Sequence, residues 1–97
     1  MLIGCLRLTL VMPENESLKG KRAVVQRVRD RLQRRFGVAV AEVETQDDRR
    51  VATLGVVCVS NTSAHSHAVL MQVLDYLSDL RLDAELRNVE TETLQAL

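Results

Sequence analysis

From Leu2 to Met12 apolar and polar positions alternate, with Leu6, Leu8 and Leu10 on one side of an extended chain and Cys5, Arg7 and Thr9 on the other. A period of two with one apolar side predicts a strand with one well-buried face. The segment PENES, Pro13 to Ser17, reads as a turn, and Ser17 as the N-cap of a helix. The period then changes. Leu18, Val25, Val28, Leu32 and Phe36 recur at spacings of seven, three, four and four, which predicts one apolar stripe on a helix over 18–36, stopped by Gly37. Gly20 stands where a capping box would place Glu or Gln, and glycine in a first turn costs about 1 kcal/mol against alanine. The helix start is therefore soft.

Val38 to Glu44 (VAVAEVE) is β-prone, and the polar TQDDRR that follows predicts a hairpin connection. Val51 to Ser60 is apolar on both faces, as a central strand should be. Asn61, Thr62 and Ser63 are three candidate caps for a second helix near 63–80, with Ala64, Val69 or Leu70, Val73, Leu74 and Leu77 as its packing stripe. Ala84 to Leu94 alternates weakly and reads as an edge strand whose charges blunt its open side. The order is β-α-β-β-α-β. With right-handed crossovers this predicts an α+β, ferredoxin-like fold: a four-stranded antiparallel sheet, order 4-1-3-2, with two helices on one face.

Ninety-seven residues suffice for one such domain, spanning 1–97. The only aromatics are Phe36 and Tyr76, so the core must be built from Leu, Val, Ala and Met. Cys5 and Cys58 lie in apolar runs on opposite faces and read as small hydrophobes, not as a disulfide or redox pair. The N-terminal apolar run, interrupted by Arg7, is too short for a membrane span and lacks the basic start of a signal peptide. A cytoplasmic chain without membrane contact is expected. His65 and His67, two apart, point about 200° from one another on a helix and cannot share a metal. Glu42, Glu44, Asp47 and Asp48 cluster near one hairpin, as solvated turns commonly do. There is no glycine-rich phosphate loop, and no nucleophile, base and orienter can be paired from spacing. No enzyme activity, catalytic residue, metal or cofactor is expected.

Charge changes the picture more. Residues 17–36 hold eight basic side chains against Asp30, a local +7, so the rest of this neutral chain carries −7. Segregation of that kind makes a local field even at zero net charge. At about 100° per residue Lys19, Arg27, Arg31 and Arg34 point away from the apolar stripe, and Arg22 and Arg29 share a flank. These six, with Lys21 alongside, are the candidate contacts to nucleic-acid phosphates, which position a partner without reading bases. The bland alternative is a solvated helix face. Base stacking on the sheet is excluded, because strands one and three carry no aromatic residue. The sheet face away from the helices would present Ile3, Cys5, Val11, Val51, Val57 and Val59, relieved only by Arg7, Thr9 and Thr53. So apolar a face predicts burial in a homodimer, with Ile3, Val57 and Val59 in the interface.

The run from Ser17 to Leu77 resembles the YlxP-like proteins, small bacterial proteins of unknown function. Its most specific parts are Ser17-Leu18-Lys19 with Lys21-Arg22, Val40-Ala41-Glu42-Val43 ahead of Gln46-Asp47, and Val59-Ser60-Asn61. The family commonly has Glu at the place of Gly20 and often an aromatic where this chain has Asp48, which weakens any stacking contact in that loop. The resemblance implies a ferredoxin-like fold and, through bacterial gene neighbourhood, an association with translation and ribosome maturation factors. It supplies no catalytic residues. The expectation is a non-enzymatic binding factor for RNA or ribosomal particles. The alternative is a dimeric, ACT-like small-molecule-binding regulatory module with its ligand near the Pro13–Ser17 loop.

Overall fold

The computed structural model describes residues 1–80 and 83–97. Its elements are β1 (Leu2–Val11), α1 (Leu18–Phe36), β2 (Ala39–Glu42), β3 (Val51–Ser60), α2 (Ser63–Asp79) and β4 (Glu85–Gln95). The strands form one antiparallel sheet in the order β2-β3-β1-β4, as the sequence predicts. β1 and β3 pair without interruption from Leu2↔Ser60 to Val11↔Val51. They are the two central strands. The β1–β4 ladder slips once, between Arg7 and Thr9, where Asn88 adopts a positive φ of 55°. That bulge breaks the regularity of the long edge strand.

Both helices start on the expected caps. Ser17 Oγ accepts from Gly20 N at 3.0 Å, and Thr62 Oγ1 accepts from His65 N at 3.2 Å. Gly37 ends α1 in the left-handed region, φ 65°, and donates its N–H to Gln33 O. Leu6, Leu8 and Leu10 of β1 and Ala52, Leu54, Val56 and Cys58 of β3 are buried under the helices. Val28 and Leu32 of α1 and Leu70, Val73 and Leu77 of α2 close the core over them.

Two boundaries differ from expectation for physical reasons. β2 is only four residues long, because at Glu44 the backbone turns to φ 70° and the chain leaves the sheet. On α2 the buried face begins with Ser66, whereas Ala64 is exposed. Ser66 sits where β1 offers no side chain: a Cβ built on Gly4 would lie 1.9 Å from Ser66 Oγ and 3.0 Å from Cys58 Sγ. Helix and sheet touch there backbone to side chain, and only glycine admits the contact.

Candidate nucleic-acid interface

Helix α1 has three kinds of basic residue, separated by its own periodicity. The first kind is Lys21, expected among the phosphate contacts and found buried, with 0% of its surface exposed. It follows Leu18 by three and precedes Val25 by four and Val28 by seven, so it belongs to the apolar stripe. Its ammonium crosses to the β2–β3 loop and donates to Glu42 Oε2 at 2.8 Å and to Thr45 O at 2.6 Å. Gln46 O and Val51 O complete the surroundings at 3.4 Å each. Thr45 Oγ1 donates to the same Glu42 oxygen and accepts from Thr53 N, both at 2.8 Å. The loop is thus folded around a cation supplied by the helix, and the buried charge is neutralised and hydrogen-bonded, as burial requires. Lys21 holds the fold together and cannot reach a ligand.

The second kind is exposed. Arg27, Arg31 and Arg34 border a shallow hollow of ≈ 460 Å³ on the outer side of α1, with Ala23, Gln26 and Asp30. Lys19 is also exposed, one turn or more towards the N-terminus. Arg22 is exposed and Arg29 half-buried, on the flank about 200° round from Arg27 in the case of Arg29. The predicted residues therefore do not form one face. Arg27, Arg31 and Arg34 come together, Arg22 and Arg29 form a second row, and Asp30 lies beside the first. Gln26 engages that acid, donating Nε2 to Asp30 Oδ1 at 2.8 Å and accepting from Arg29 at 3.0 Å. Among the described residues, none of the exposed basic side chains of α1 makes an ion pair. Arg7, Arg50 and Arg87, outside the helix, are all paired with glutamates.

The third kind is Arg35. Its guanidinium lies 5.7 Å from the centroid of Phe36 and 5.0 Å from that of Tyr76, whose rings meet edge to face at 5.6 Å. The only two aromatics of the chain thus come together between the ends of the two helices, beside the acidic Asp75 and Asp79. Sequence spacing gave no signal for this contact, which joins residues 40 apart.

The remaining candidate regions are occupied by their own side chains. In the Pro13–Ser17 loop Asn15 Nδ2 donates to Ser17 O and to Arg49 O, and Arg50 Nε donates back to Asn15 O. The loop suggested for a small ligand is thereby tied to the β2–β3 loop. A Cβ on Gly20 would fall 2.4 Å from Asn15 Oδ1, which accounts for glycine in that first turn. On the open sheet face Ile3 is half-buried, whereas Val57 and Val59 are exposed, Val59 to 66%. Across that face Arg7 bridges Glu90 at 3.0 Å and Glu44 at 3.5 Å. The hydrogen bond that Arg7 donates to Glu90, then the charges of Glu90 and Glu44, hold the Arg7 guanidinium above its usual range. Cys5 and Cys58 are both free thiols on opposite faces. No helix among the described residues is long and apolar enough to cross a membrane.

Residues 3–91 match the family described as "Protein of unknown function (DUF503)". The chain is also 30% identical over 76 residues to "Uncharacterized protein YlxP" of Bacillus subtilis (strain 168), covering 78% of this chain and 83% of that protein. With the family match running from residue 3 to residue 91, nearly end to end, the chain belongs to the DUF503 family.

Proposed function

We propose that this protein is a non-enzymatic binding factor that contacts RNA, as free RNA or in ribosomal particles, through the outward face of α1. The observation that carries this reading is that, among the described residues, Lys19, Arg22, Arg27, Arg31 and Arg34 on the outside of α1 make no ion pair, whereas Arg7, Arg50 and Arg87 outside the helix are each paired with glutamate. Uncompensated arginines held on one rigid helix attract polyanions and release their counterions on contact. Arginine also suits phosphate geometry through its planar fork of donors. Arg27, Arg31 and Arg34 around one hollow are the primary contacts, with Lys19 beyond them and Arg22 and Arg29 on the adjacent row.

Such a surface positions a phosphate backbone and reads no bases. Binding should therefore be indifferent to sequence. The test is co-sedimentation of the purified protein with ribosomal particles and titration of a labelled RNA, using wild type and the Arg27→Glu/Arg31→Glu double variant. The reading predicts a loss of affinity of roughly tenfold or more for every RNA tested at low salt. Equal binding by wild type and variant would leave α1 as a solvated face.

A further inference from the structure

Gly55 occupies the middle of β3, a central strand, in unbroken register with Arg7 on β1 and Ala41 on β2. It makes no bulge and has no positive φ. A Cβ there would meet only Val43 Cγ1 at 3.6 Å and Ala41 O at 3.9 Å, which is ordinary contact. Nothing in the chain itself requires glycine, although glycine weakens a strand interior. Such a position commonly marks the close approach of something else. Above it, on the face away from the helices, opens a hollow of ≈ 400 Å³ walled by Cys5, Arg7, Val57, Glu90 and Glu92.

We propose that a second copy of this chain packs on this face, about a two-fold axis running between β1 and β3 and parallel to them. Such an axis exchanges the two strands, so each β1 residue arrives over the β3 residue with which it is paired in its own sheet. The register then places Ile3 over Val59, Cys5 over Val57 and Arg7 over Gly55 of the second copy. Arg7 fills the space that the missing side chain leaves, twice over by symmetry. Glu44, which pairs with Arg7 within one chain, stands near the same place in the second copy and offers the arriving guanidinium an equivalent carboxylate.

Charge selects this axis over its perpendicular. Glu90 and Glu92 on β4 face the β2 side of the second copy, where Ala39 and Ala41 are uncharged and the nearby acid, Glu44, is paired with Arg7. An axis across the strands would instead stack β4 on β4 and oppose the acids. The size also fits. Strands about 4.8 Å apart with about 3.3 Å per residue give a footprint on the order of 550 Å² per copy. That is about 1,100 Å² in total, just above the roughly 1,000 Å² expected of a specific interface. The edges offer no rival route, because β2 is short and β4 is charged and bulged. Both helices stay on the outside of the pair.

The inference is independent of RNA, and its test uses the protein alone. Sedimentation velocity and light scattering should give a dimer at about 100 µM. Gly55→Val should fill the hollow and weaken self-association by roughly tenfold or more, while its thermal midpoint stays level or rises. Val57→Glu should do the same to association. Arg7→Gln removes the contact from the other side and serves if Gly55→Val lowers the midpoint. A wild type that stays monomeric overturns the proposal. A dimer whose affinity is unchanged in Gly55→Val, or in Arg7→Gln, overturns the register.

Discussion

The two βα halves of the molecule place a buried polar residue at the same point and solve the burial in opposite ways. Lys21 and Ser66 are each the fourth residue of their helix, each donates its backbone N–H to the capping residue, and neither is exposed. On α1 a long side chain reaches beyond the sheet and gathers Glu42 and the β2–β3 loop around its charge. On α2 a small one lets the helix settle onto Gly4. The outward faces differ as much. Lys21 apart, α1 carries seven basic residues and one acid, whereas α2 carries two acids, two histidines and otherwise uncharged residues. Both helices satisfy the same sheet. α2 therefore shows what the fold alone demands of a helix surface, and the arginines of α1 exceed that demand.

The sharpest way to break the comparison lies at its buried position. Lys21→Ala leaves the Glu42 carboxylate and the carbonyls of Thr45, Gln46 and Val51 without their donor, and should cost about 3–5 kcal/mol in urea unfolding. Adding Glu42→Gln should recover part of that loss by removing the unpaired charge, while the carbonyls stay unserved. The corresponding insult to α2 is milder. Gly4→Ala drives a methyl into Ser66 and should cost about 1–3 kcal/mol, partly relieved by Ser66→Ala. Gly20→Ala is milder still, within about 1 kcal/mol of wild type by thermal melting. The gain in helix propensity opposes the displacement of the Asn15 side chain that ties the two loops. Should Gly20→Ala cost as much as Gly4→Ala, the Asn15 tether matters more to the fold than the helix–sheet contact.

The same comparison shows what a chain reveals of itself before its structure is known. Alternation in β1, the run apolar on both faces in β3 and the stripe through Val28 and Leu32 are enough for element order and sheet topology, since such long segments leave one consistent packing. The role of Lys21 was written in its spacing from Val25 and Val28 but masked by its charge, because lysine is sorted to the surface by habit and is buried only when paired. Ser66 could not be told from Ala64. Small side chains contribute little to a hydrophobic pattern, and the deciding neighbour, Gly4, is 62 residues away. The junction of Arg35, Phe36 and Tyr76 and the hollow over Gly55 are products of tertiary assembly alone.

For the outward faces the comparison becomes one of binding. Two acids introduced on α1 by Arg27→Glu/Arg31→Glu should weaken association with ribosomal particles. Two introduced on the exposed side of α2 by Ala68→Glu/Gln72→Glu should change it by about twofold or less, since they touch no phosphate. Neither pair should shift stability by more than about 0.5 kcal/mol per site, because all four positions are exposed. The most direct measurement is the salt dependence of that association. If Lys19, Arg27, Arg31 and Arg34 each neutralise a phosphate, the logarithm of the binding constant should fall with the logarithm of salt concentration with a slope of about −3 to −4. The α1 variant should flatten that slope by about 2, and the α2 variant should leave it unchanged. A wild-type slope near zero, or equal slopes in wild type and the α1 variant, would contradict the account.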